Sequence, residues 1–106
     1  MAQILVVDDE PKMPSLVCGE LTDGGHHVPT TTKPAEALAM LESRDFDIVI
    51  TDLNMPEISG MQILERALTR EETEVVIMTA YGTVESAVQA MKKGAADYLI
   101  KPISLE

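Results

Sequence analysis

The chain has 106 residues and carries 18 Asp and Glu against 8 Lys and Arg, a formal net charge of −10. A chain of this size buries about 65% of the surface its unfolded form exposes, enough for one hydrophobic core and not for two. The acidity argues against direct contact with nucleic acid or an anionic membrane, since both need Lys and Arg against phosphate, and no apolar run approaches the length of a membrane span. With hydrophobic residues at 45% and charged residues at 25%, the composition is that of an ordinary folded domain rather than a disordered acidic segment. Asp8 and Asp9 follow Met1 closely, so no secretory leader is expected. The single Cys18 forms no internal disulfide; the expectation is a buried thiol in a reducing, cytoplasmic compartment.

The first apolar run, Ile4-Leu5-Val6-Val7, is short, rich in β-branched residues and bounded by polar ones, as is a strand buried on both faces. A helix is predicted from Pro11 to about Leu21, with Pro11 and Pro14 in its first turn and Asp23-Gly24-Gly25 beyond its end. His27-Val28-Pro29-Thr30 reads as a weaker strand, and because Pro29 donates nothing to a ladder it belongs at a sheet edge. The adjacent His26 and His27 have no nearby Cys or His to complete a metal site and read as loop and edge residues.

A second helix spans about Pro34 to Ser43, with Thr32 or Lys33 near its cap, followed by the strand Ile48-Val49-Ile50. Met61, Ile63, Leu64, Ala67 and Leu68 form a helical stripe, and Val75-Val76-Ile77-Met78 is again a strand. Val84, Ala87, Val88 and Met91 then fall on i, i+3, i+4 and i+7 of a further helix, which Gly94 stops after Lys92 and Lys93. Tyr98-Leu99-Ile100 is the last strand.

Strands alternating with helices predict an α/β fold: a doubly wound parallel sheet, helices on both faces, right-handed crossovers. The chain ends four residues after Pro102, and residues 103–106 supply only the first turn of the helix that such a sheet takes next. We therefore expect one domain over residues 1–106, a C-terminally truncated excerpt with its final helix largely missing.

The polar residues just after each apolar run carry the chemistry. Asp8, Asp9 and Glu10 follow the first strand, Asp52 the third, Thr79 the fourth and Lys101 the fifth. In an open parallel sheet the crevice at the carboxyl ends of the strands is where ligands bind. Any one of these residues alone is better explained as a cap or turn former; four strand ends delivering such groups together are not. Two like charges about 4 Å apart cost roughly 4 kcal/mol at an effective dielectric near 20, so clustered carboxylates need a positive partner. A hard divalent cation suits all-oxygen ligands, and Mg²⁺ takes one or two carboxylates while leaving room for a phosphate. Asp52 then fits a nucleophile toward phosphorus, with the metal and Lys101 stabilising the phosphoryl oxygens.

Four segments, ILVVDDE (4–10), IVITDLNMPEISG (48–60), VVIMTAYG (75–82) and GAADYLIKP (94–102), together resemble the receiver domain of bacterial two-component response regulators across essentially the whole chain. The resemblance implies a flavodoxin-like five-stranded parallel sheet in the order 2-1-3-4-5. It implies that Asp52 is the phosphoacceptor, and that Asp9, Asp52 and the backbone carbonyl of Asn54 bind Mg²⁺, with Asp8 acting through water. Lys101 matches the lysine that contacts the phosphoryl group, Thr79 the switch hydroxyl and Tyr98 the aromatic that changes rotamer with it. Ala80 matches the small residue beside the pocket, and Lys101-Pro102 a peptide that is typically cis in the family. Tyr81 and Asn54 line the approach to the phosphoryl group by position.

The implied donor is a sensor histidine kinase or a small phosphodonor. The implied output is a change on the surface of the Val84-to-Met91 helix and the last strand, with homodimerisation on activation and control of an attached transcriptional effector domain. No separate substrate is turned over, so the domain is not expected to be an enzyme. The wording from Val75 to Pro102 resembles receivers of enhancer-binding activators of the nitrogen-regulation type. Two other readings remain: a stand-alone receiver that shuttles phosphate, and a small Mg²⁺-dependent phosphohydrolase with an aspartyl nucleophile. Such hydrolases carry the nucleophile after the first strand as Asp-x-Asp, and Asp8-Asp9-Glu10 lacks that spacing.

Overall fold

A computed structural model of the chain describes residues 3–8, 25, 28–55, 57–80 and 82–100. In chain order the described elements are β1 (Ile4–Val7), β2 (Thr30–Thr31), α1 (Pro34–Ser43), β3 (Ile48–Asp52), α2 (Gly60–Ala67), β4 (Glu74–Thr79), α3 (Val84–Lys92) and β5 (Asp97–Ile100). The strands form one parallel sheet in the order β2-β1-β3-β4-β5. This is the flavodoxin-like fold expected from the sequence. The helix expected over 11–21, Cys18 and the two histidines lie outside the described residues.

The pleat sorts the strand residues into two sets. Paired positions share a face, and alternate positions along a strand return to it. One face carries Leu5, Val7, Val49, Val75, Ile77 and Tyr98, packed with Ala37 and Leu41 of α1, Ile63, Leu64 and Ala67 of α2, and Ala90 of α3. The other carries Ile4, Val6, Ile48, Ile50 and Met78, packed with Val28. All three described helices thus cover the first face.

Three details differ from the expectations. The edge strand is shifted from 27–30 to Thr30–Thr31, because Pro29 enters the ladder only through its carbonyl, which accepts from Val6 N–H at 3.1 Å. The strands were expected to be buried on both faces, but the outer strand β5 has exposed ends and a half-buried middle. The Val84, Val88 and Met91 stripe has the expected helical period but faces solvent, with Val84 84% exposed, while the small Ala90 packs inward. The stop at Gly94 is as read. Gly94 has φ +108°, its N–H reaches Met91 O at 3.1 Å, and Ala95 N–H reaches Ala90 O at 3.0 Å, a Schellman ending.

Candidate functional site

Hydrophobic strands that end in polar residues place those residues at the rim of the sheet, where burial and charge meet. Val7 pairs with Thr51, so Asp8 and Asp52 are the next residues on two neighbouring strands. Both carboxylates are buried, at 0% and 6% exposure, and so is Thr79 at the end of β4. By pairing and alternation, Asp8 and Asp52 continue the face of Ile4, Ile48 and Met78. Thr79 shares the opposite face with Ile77 and Tyr98.

Asn54 joins the two faces at the rim. Its backbone N–H donates to Asp52 Oδ1 at 3.2 Å, and its side-chain amide donates to Thr79 Oγ1 at 3.2 Å. The loop carrying Asn54 is held by close packing behind it. Gly60 N–H donates to Leu53 O at 2.9 Å, and a Cβ on Gly60 would lie 2.2 Å from the Asp52 carbonyl oxygen. Only glycine lets α2 begin this close to the end of β3. Ser59 and Gln62 form a capping box at the same helix start, with Ser59 N–H donating to Gln62 Oε1 at 3.0 Å.

Of the residues expected at the site, Asp8, Asp52, Asn54 and Thr79 are brought together at adjoining strand ends. Ala80 is exposed just beyond Thr79. Tyr98 lies half-buried on β5, its hydroxyl 2.7 Å from Ser86 Oγ in the first turn of α3. Asp9, Tyr81, Lys101 and Pro102 lie outside the described residues. Among the described residues no three His, Cys, Asp or Glu side chains form a metal-holding group. Asp8 and Asp52 supply two buried, all-oxygen donors beside an exposed loop, a donor set that fits a hard divalent cation.

Two partners of the expected residues were not read from the sequence. Asn54 was expected to contribute its carbonyl, whereas its amide also engages Thr79, and Ser86 was not singled out at all. The one trace of Ser86 is the Thr83-x-x-Ser86 spacing, a capping box with Ser at its third position.

A five-stranded parallel sheet in the order β2-β1-β3-β4-β5, with buried carboxylates and a buried hydroxyl at its strand ends, defines a flavodoxin-like α/β module. The family model described as the response regulator receiver domain matches residues 4–106, and the chain belongs to that family. It is 41% identical over 102 residues to the response regulator protein FleR of Pseudomonas aeruginosa, covering 95% of this chain and 22% of FleR. The chain therefore spans about a fifth of that relative's length. A crystal structure of a Burkholderia pseudomallei response regulator with a phosphorylated aspartic acid, calcium ion and citrate superposes with a TM-score of 0.91 at 26% identity. That match covers 99% of this chain and 62% of the other. The beryllofluoride-activated NtrC4 receiver domain dimer, solved in solution, matches with a TM-score of 0.91 at 32% identity, covering 99% and 88%. The chain is a phosphoacceptor switch module of two-component signalling, as its family is. Among the described residues no helix is long and apolar enough to cross a membrane.

Proposed function

We propose that Asp52 is the phosphoacceptor, that Asp8, Asp9, Asp52 and the Asn54 carbonyl hold Mg²⁺, with Asp8 acting through water, and that Lys101 steadies the phosphoryl oxygens. The observation that carries this reading is Asn54, which ties the buried Asp52 carboxylate to the buried Thr79 hydroxyl. Loading and reading of a phosphoryl group then share one short path.

In the step itself a carboxylate oxygen of Asp52 bonds to phosphorus as the N–P bond of a sensor kinase phosphohistidine breaks, the electron pair remaining on the imidazole. Bound Mg²⁺ supplies positive charge against the oxygens of the transferring group. The aspartyl phosphate brings three acceptor oxygens, and the Thr79 O–H donates to one of them. Thr79 leaves space that Tyr98 fills, which biases the α3 and β5 surface. Exposed Ala80 keeps the entrance open, Tyr81 shields the phosphate from water, and Pro102 follows Lys101 in the pocket. The module acts in the cytoplasm, turns over no separate substrate, and passes its state to a downstream effector domain of the transcriptional type. The greater length of FleR and the NtrC4 receiver dimer support an attached output and homodimerisation on activation.

The test is incubation with acetyl phosphate and Mg²⁺ followed by mass spectrometry. A stable gain of about 80 Da on Asp52, one phosphoryl group, is expected. Asp52→Asn should gain nothing. Release of inorganic phosphate with no modified chain would favour a phosphohydrolase instead.

A further inference from the structure

The Ser86 hydroxyl is a meeting point. It accepts from Thr83 N–H at 3.1 Å, donates to Thr83 O at 3.1 Å, and lies 3.1 Å from Thr83 Oγ1 and 2.7 Å from Tyr98 Oη. A hydroxyl has one proton and two lone pairs, so the contacts to Thr83 and Tyr98 compete for the same oxygen, and either hydroxyl of the Ser86–Tyr98 pair can be the donor. Thr83 Oγ1 in return accepts from Ser86 N–H at 3.0 Å. The cap that starts α3 and the aromatic of β5 therefore share one oxygen atom.

Gly82 forms the other wall. A Cβ there would lie 2.8 Å from Tyr98 Oη and 2.4 Å from Ile100 Cδ1, so the tyrosine hydroxyl occupies room that only glycine leaves. Both atoms are the ends of side chains, so a larger residue at 82 would displace Tyr98 more readily than it would displace backbone. The ring itself packs against the main core cluster.

We propose that Gly82 and Ser86 form a seat for the Tyr98 hydroxyl, and that Ser86 is a positioning residue that holds the half-buried ring against the core and so sets how readily the module reaches its signalling arrangement. The inference rests on the switch reading above, in which Tyr98 fills the space that Thr79 leaves. The seat favours that arrangement, and because Ser86 also caps α3, displacing Tyr98 loosens the start of the helix that presents Val84, Val88 and Met91 to solvent.

The experiment titrates beryllofluoride with Mg²⁺ into the 3-fluorotyrosine-labelled chain and follows the ¹⁹F resonance of Tyr98, assigned by its loss in Tyr98→Phe. Ser86→Ala should raise the half-saturating beryllofluoride concentration by at least about threefold, within the range one net hydrogen bond contributes. Ser86→Thr, which keeps the hydroxyl, should restore the wild-type midpoint. Gly82→Ala, which pushes Tyr98 out by a different route, should raise it as well. Steady-state labelling by acetyl phosphate extends the comparison to Tyr98→Phe, where adding Ser86→Ala should change nothing further. A smaller rise or a fall in Ser86→Ala, failure of Ser86→Thr to restore the midpoint, or full additivity with Tyr98→Phe, overturns the seat. A wild-type chain that ignores beryllofluoride, or an Asp52→Asn chain that still responds, instead sinks the phosphoacceptor reading, and the seat with it.

Discussion

Glu57 is the one non-glycine residue with positive φ, 69°, among the described residues, and it lies between Asp52 and the start of α2. A residue with a Cβ gives up roughly 1–2 kcal/mol in that region, whereas glycine gives up about 0.5–1 kcal/mol in chain entropy on folding. Glu57→Gly should therefore gain up to about 1 kcal/mol in urea unfolding, and Glu57→Val should lose more than about 1 kcal/mol, because β-branching is least tolerated there. At the same scale, Asp8, Asp52 and Thr79 were legible in the sequence because each ends a β-branched apolar run. The Asn54–Thr79 and Ser86–Tyr98 hydrogen bonds were not, since they join residues 25 and 12 positions apart and exist only once the strands are in register.

Between elements, two glycines separate packing that serves the site from packing that serves the fold. In Gly60→Ala the new carbon would meet backbone on β3, the Asp52 oxygen at 2.2 Å and the Leu53 Cα at 2.8 Å, so α2 must back away. We expect a loss of about 1–3 kcal/mol in urea unfolding together with a marked fall in acetyl phosphate labelling, since the strand end that carries Asp52 moves. Gly94→Ala places an alanine at φ +108° in the Schellman ending of α3 and should cost about 1–2 kcal/mol while leaving labelling intact. The bounds of α1 were legible to the residue, from Pro34 to Ser43. The direction of the α3 stripe was not, because a period of 3.6 says that a helix has two unlike faces and not which one the sheet takes. There the small Ala90 fits the core and the larger Val84 does not.

For the molecule as a whole, the placing of charge matters more than its total. Arg66, Arg70 and Lys93 form ion pairs with Glu42, Asp45 and Glu65, all exposed, and such pairs contribute about 0–1 kcal/mol each. They occupy cations on the helical side rather than at the strand ends. Raising NaCl from about 0.05 to about 0.5 M should weaken Mg²⁺ binding several-fold by calorimetry, with little change in unfolding free energy, because salt screens the attraction between the cation and a chain of net charge −10 while the exposed pairs contribute little. The pleat has a further consequence. Asp52 belongs with Ile48 and Ile50, and Thr79 with Ile77, so a one-residue slip in either strand would exchange their sides. An inserted residue in β3 would bring Thr51 to the rim and turn Asp52 toward the helices, whereas two inserted residues would preserve the alternation. The length of each strand in this module is therefore counted in twos, and its chemistry tolerates even changes where it rejects odd ones.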